Sequence, residues 1–227
     1  GLRRQVRRLV ETRVRRQTRM KDSGQRLAAD RLAGVAAGKT RVFRHRSKES
    51  GFDTHVEILI DVSGSMREGS PQAIETAKEA AVGLSLALDE IRGVKVGVRA
   101  FNTESKQLIS AQTPLKPQLE ALTSVYPTGG TVFTYPLMES MRELSKTRSQ
   151  GKVLIMITDG CVNNVEDIAS SAKIVSSGEN GGVQCIGIGV GNTSVKQIFA
   201  NAVELNSSAT NLASVLFDRT QKILDVA

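Results

Sequence analysis

The sequence predicts an α/β protein, a doubly wound and mostly parallel sheet preceded by a basic helical arm. Three observations lead there. Beyond residue 51, short apolar runs alternate with stretches of helical periodicity, the pattern of strands joined by crossover helices. One run, Val153-Leu-Ile-Met-Ile157, is apolar throughout, as a strand covered on both faces must be. The charge also splits: residues 1–50 hold 16 Lys and Arg against 4 Asp and Glu, whereas the remaining 177 residues hold 15 against 19. The overall charge of +8 thus combines a basic arm, residues 1–50, with a mildly acidic domain, residues 51–227.

The elements follow in order. Leu2, Val6, Leu9, Val10, Val14 and Met20 recur at spacings of three and four among arginines, which predicts an amphipathic helix over 2–20. Ser23-Gly24 ends it, and Leu27–Val35 suggests a second short helix. His55–Ile60 predicts the first core strand. Ser70, with Pro71 at the first helical position, caps a helix reaching about Ile91. Val94–Phe101 is the second strand and Gln107–Ser110 a short edge strand. Helices are expected over Leu115–Leu122 and Val132–Leu144, the buried strand over Val153–Ile157, and a further helix over Val165–Val175. Val183–Val190 is another buried strand. A short helix near Val195, a strand near Val203 and a helix over Asn211–Leu224 complete the pattern.

Composition narrows the function. Hydrophobic residues make up 40% of 227, enough for a sizeable core, which must be aliphatic because aromatics are 4% and Trp is absent. The two cysteines, Cys161 and Cys185, provide no disulfide or zinc framework and read as free thiols of a reducing, cytoplasmic setting. No apolar run approaches the ~20 residues of a membrane span, and no signal peptide is visible. The first residue is Gly rather than Met, as in a piece of a longer chain.

In doubly wound sheets ligands bind beyond the carboxyl ends of the strands, where strand order reverses. Asp61-Val-Ser63-Gly-Ser65 leaves the first core strand there, and Thr158-Asp159-Gly160 leaves the buried one. Between them, Gly129-Gly130-Thr131 leads into a helix. Two carboxylates and three hydroxyls are hard oxygen donors suited to Mg²⁺ or Mn²⁺. Alternate residues of an extended loop face one way, so Asp61, Ser63 and Ser65 can line one pocket, with Gly64 easing the bend. A cation held mainly by neutral hydroxyls stays electrophilic toward an incoming carboxylate.

Asp61-x-Ser63-x-Ser65, Thr131 and Asp159 resemble the metal-ion-dependent adhesion site of von Willebrand factor type A (VWA) domains, and in family order. The resemblance implies the Rossmann-like VWA fold. It implies that Ser63, Ser65 and Thr131 meet the metal directly or through water, with Asp61 and Asp159 acting through water or from behind. A partner Asp or Glu then completes the coordination. The Arg-rich segment, Arg41-Val-Phe-Arg44, Asp53–Asp61 and Ile186–Val190 with Val195–Val203 are similar to the carboxyl-terminal part of the CobT subunit of cobaltochelatase. This implies a non-catalytic subunit working with a MoxR-like or CobS-like AAA+ ATPase, with cobalt insertion for cobalamin biosynthesis as the process.

Other chemistries fit less well. Gly38-Lys39-Thr40 lacks the P-loop's first glycine, since Ala33 stands five residues earlier. A phosphatase with Asp61 as nucleophile would want a second Asp where Ser63 stands. A serine hydrolase needs a histidine base, and only His45 and His55 exist. His45 among arginines reads as a surface residue, His55 as packing or capping, and Met66 as packing beneath the ligands. The arm reads as a docking segment. The alternative is a nucleic-acid-associated protein, although no aromatic residue interleaves the arginines of residues 1–40.

Overall fold

The computed structural model describes residues 17–21, 43–47, 53–68, 72–160, 164–191 and 194–205. The chain divides into two compact units, one of them Arg13–Gly51. In that unit β1 (Gln17–Lys21) pairs antiparallel with β2 (Phe43–Ser47), with Arg19 opposite His45 and Met20 opposite Arg44. This corrects the expected helix over 2–20, whose last residues are strand. Apolar residues spaced by three or four in an Arg-rich segment do not exclude an extended chain, and pairing with a partner some 25 residues on decides the matter. Residues 2–16 and the expected helices over 27–35 and 211–224 lie outside the described residues.

The larger unit is a six-stranded sheet flanked by helices, ordered β5-β4-β3-β6-β7-β8. It comprises β3 (Thr54–Asp61), β4 (Val94–Phe101), β5 (Ser105–Ile109), β6 (Gly151–Thr158), β7 (Val183–Val190) and β8 (Ala202–Leu205). All neighbours run parallel except the edge strand β5, which turns back antiparallel on β4. The chain builds outward from β3 through β4 to β5, then crosses to β6 on the other side of β3. Strand order therefore reverses between β3 and β6.

Every residue of β3 is buried, because both faces are covered. Val56, Ile58 and Ile60 pack with Ile74, Ala77, Ala81, Leu84 and Leu88 of α1 (Ala73–Asp89). Leu59 faces the other way, in a second core with Leu154 and Met156 of β6 and Leu137 and Leu144 of α3 (Thr134–Lys146). α4 (Val165–Asn180) packs against α3 and β7. The helix boundaries shift from expectation: Val132–Leu144 becomes Thr134–Lys146, and Val165–Val175 runs on to Asn180. α1 begins at Ala73 after Gln72, with Ser70 and Pro71 outside the described residues. Leu115–Leu122 divides into a 3-10 turn, Lys116–Gln118, and the short α2 (Leu119–Thr123), because Pro117 stands in its first turn. No described helix is long and apolar enough to cross a membrane.

One buried layer is polar. Glu57, 1% exposed, faces α3 with Arg99 of β4, its Oε1 3.9 Å from Arg99 Nε, while its Oε2 lies 3.4 Å from His55 Nε2. Arg99 also donates to Glu139 of α3 at 2.8 Å and to Ser105 at 3.2 Å. Gly97 lies opposite Glu57 across the strands, and a Cβ there would collide with the Glu57 carboxylate.

Candidate metal centre

The reversal point between β3 and β6 brings Asp61 and Thr158 together. Ile60 pairs with Ile157, so the next residues leave the sheet side by side. Thr158 Oγ1 donates to Asp61 Oδ2 at 2.5 Å and accepts from Gly160 N at 2.9 Å. Asp61 Oδ1 accepts from Ser63 N at 2.8 Å, which turns the loop back over the carboxylate. Ser63 and Ser65 hydroxyls lie 3.1 Å apart, at the start of a 3-10 turn spanning Gly64–Arg67. Met66 in that turn is fully buried against the α1-side core, as the sequence suggests.

The loop that leads into Thr131 is held to this segment through the backbone. Gly64 N donates to Gly129 O at 2.9 Å, and a Cβ on Gly64 would stand only 3.1 Å from that oxygen. Gly129 itself has φ +75°, a conformation that favours glycine. Thr128 N donates to Val62 O at 2.7 Å, and Arg67 Nε to Pro127 O at 2.9 Å. The loop is thus stitched along its length to the Asp61–Arg67 segment.

The electrostatics are those of a crowded anionic site. Asp61 is fully buried, and burial pushes its carboxyl up from 3.8 to about 6. Hydrogen bonds from Ser63 and Thr158 oppose the rise, and the neighbouring Asp159 carboxylate adds to it. Asp159 is 6% exposed. Among the described residues, none of the influences on Asp61 comes from a cationic side chain. Among the described residues no cluster of three or more His, Cys, Asp and Glu occurs; this site offers two carboxylates and otherwise hydroxyls. That donor set fits a small hard dication and does not fit zinc.

The structure therefore brings Asp61, Ser63, Ser65 and Asp159 together at the ends of β3 and β6 and stitches the loop before Thr131 beside them. Sequence reasoning missed three supporting residues. Thr158 holds the Asp61 carboxylate, and a hydroxyl closing the strand just before Asp159 was the available signal. Asn102 donates to Thr128 O at 2.9 Å while its own carbonyl accepts from Val132 N at 3.0 Å, bracketing the Thr131 loop. Asp167 holds the start of α3. His55, by contrast, is the second residue of the strand that Asp61 closes, roughly 20 Å away at ~3.3 Å per residue. Cys161 lies outside the described residues, and Cys185 is buried in β7.

Residues 56–162 match the family model of the von Willebrand factor type A domain. Among solved structures, the chain is similar to the conserved hypothetical protein BatB from Bacteroides thetaiotaomicron, at 19% identity and a TM-score of 0.60, over 76% of this chain and 99% of that one. It is similar to a von Willebrand factor type A protein from Catenulispora acidiphila, at 21% identity and TM-score 0.57, over 79% and 43%. It is also similar to the manganese-loaded TRAP protein of Plasmodium vivax, at 18% identity and TM-score 0.58, over 74% and 73%. At these identities the likeness is one of fold. No curated protein matches the chain in sequence.

Proposed function

We propose that this chain, whose residues 56–162 match the VWA family model, is a metal-dependent protein-interaction module of the VWA type without catalysis of its own. Asp61, Ser63, Ser65, Thr131 and Asp159 would hold Mg²⁺ or Mn²⁺. When bound, the cation supplies an electrophilic seat for an Asp or Glu carboxylate of a partner protein. One observation carries the reading: two buried carboxylates sit together among hydroxyls, and among the described residues no cationic side chain acts on Asp61. A buried carboxylate such as Asp61, held by hydroxyl and amide donors alone, is costly when ionised, and a bound cation would offset that cost. The manganese in the similar Plasmodium vivax structure supports the choice of metal.

The partner we propose is a MoxR-like or CobS-like AAA+ ATPase in the cytoplasm, with the chain as a CobT-like subunit and ATP-dependent cobalt insertion as the process served. The support is the resemblance of the Arg-rich segment, Asp53–Asp61 and Ile186–Val203 to the CobT subunit. The test is capture of the purified ATPase by the full chain in Mg²⁺ and in EDTA. Binding should require the metal and vanish in Asp61→Ala and Ser63→Ala chains that keep their circular dichroism. Equal binding in EDTA, or by both variants, would overturn the metal-dependent reading.

The β1–β2 ribbon favours a second reading. Its ten residues carry Arg19, Lys21, Arg44 and Arg46 with no acidic residue, and a two-stranded ribbon fits the DNA major groove. Nucleic-acid association would appear as an affinity that falls steeply with added salt. Salt-insensitive or absent binding to duplex DNA and to RNA would dismiss it.

A further inference from the structure

We propose that Asp167, on α4, is a positioning residue that fixes Thr131 in the metal centre by clamping the start of α3; the inference rests on the reading of Thr131 as a metal ligand. The need arises from the sequence. The first amides of a helix have no partner within the helix, and a side chain at the cap usually supplies one. Here the cap is Phe133, which cannot. Pro136 removes one of the orphan amides, because proline has none to satisfy. Two of the remaining amides, and the Thr134 hydroxyl, are met from another helix. Phe133 N donates to Asp167 Oδ2 at 2.7 Å, Thr134 N to Oδ1 at 3.0 Å, and the Thr134 hydroxyl to Oδ1 at 2.5 Å. Ser171, one turn along α4, stands 3.4 Å from the same hydroxyl. Asp167 is 9% exposed, so the bonds are shielded from competing water.

The connectivity gives the clamp its consequence. Asp167 lies in the first turn of α4, a few residues after Asp159. Thr131 lies two residues before the clamped Phe133. One carboxylate therefore ties the segment that carries Thr131 to the helix that continues the segment of Asp159. It also lies at the positive ends of two helix dipoles, its own and that of α3, a position suited to a carboxylate. Metal ligands must be held within about 0.5 Å by supporting groups. Release of the first α3 turn would move Thr131 away from the other donors without touching them.

The experiment titrates Mn²⁺ alone into the full chain in acetate buffer, which supplies a carboxylate, and follows free Mn²⁺ by electron paramagnetic resonance. Asp167→Ala should weaken Mn²⁺ binding roughly tenfold or more, the usual effect of removing a group that supports a ligand. Asp167→Asn keeps one acceptor oxygen and should lose less. In a Thr131→Ala background, Asp167→Ala should add less than about twofold, because its effect runs through Thr131. Hydrogen exchange should quicken at Phe133 and Thr134 in Asp167→Ala and stay slow in Thr131→Ala. Wild-type Mn²⁺ binding by Asp167→Ala, with weakened binding by Thr131→Ala, would overturn the positioning role and leave the metal reading standing. A full additional loss in the Thr131→Ala background would also overturn it, since the effect would then be general destabilisation. Wild-type binding by Thr131→Ala would sink the underlying reading of that residue. Should Asp167→Ala fail to fold, Asp167→Asn alone and in the Thr131→Ala background decides by the same comparison.

Discussion

Asp61→Asn should make the metal-free protein more stable at neutral pH while abolishing its response to a divalent cation. The magnitude follows from the buried carboxyl. In the unfolded chain it ionises near 3.8, and in the fold near 6. A tenfold change in proton affinity corresponds to about 1.4 kcal/mol, so ionised Asp61 costs the fold about 3 kcal/mol at pH 7.5. Because the folded value is the higher one, the fold takes up a proton as pH falls. The cost is fully present above pH 6 and gone below 3.8. The substituted amide would be neutral throughout and nearly the same shape. Its oxygen can accept from Ser63 N, and its NH₂ group can donate to Thr158 Oγ1.

The assay is urea denaturation of the wild type and Asp61→Asn in EDTA at several values between pH 4 and 7.5. The variant should be more stable by up to about 3 kcal/mol at pH 7.5, with the difference shrinking toward zero by pH 4. Titrating groups remote from Asp61 affect both proteins alike and cancel in the difference. Saturating Mg²⁺ should then stabilise the wild type and leave the variant where it was. A variant that is less stable than wild type in EDTA at pH 7.5, or a difference independent of pH, would refute the picture of Asp61 as a costly buried anion.

Three further outcomes are expected. Gly64→Ala places a methyl group 3.1 Å from Gly129 O and should push the Thr131 loop outward, costing about 1 kcal/mol by urea denaturation and weakening Mn²⁺ binding; unchanged affinity would show that the two loops need not touch. Arg99→Met removes the cation beside Glu57, which is 1% exposed, and should cost about 3–5 kcal/mol. Adding Glu57→Gln should recover part of that loss, and a fully additive double variant would deny that the two side chains interact. In a Cys161→Ser background, Cys185 should resist thiol reagents at pH 8 until the fold opens. Burial, reinforced by Glu179, pushes its thiol up to about 12; rapid labelling of native protein would contradict the buried position in β7.

The parts of the fold legible in the sequence are those where the pattern along one segment suffices. Val153–Ile157 had to be a strand covered on both faces, and Val94–Phe101 and Val183–Val190 coincide with β4 and β7. The strand-end motifs followed, since Asp61 and Asp159 needed only neighbouring strands, and β3 and β6 are neighbours. What stayed hidden depends on a second segment. Gln17–Lys21 is strand because Phe43–Ser47 pairs with it, and nothing within the arginine-rich stretch announces that partner. Asp167 looks like an ordinary first-turn acid of α4, yet its carboxylate serves the next helix over. Glu57 is the sharpest case. A lone Glu in an apolar strand suggests an exposed edge, but β3 is central. The carboxylate fits there because the residue opposite is Gly97, whose missing side chain leaves the space, and because Arg99 stands two residues further along the same neighbour. Each of the three residues is ordinary by itself. Only the register of β3 on β4 turns them into a buried ion pair, and register is the quantity that a single strand's own pattern does not contain.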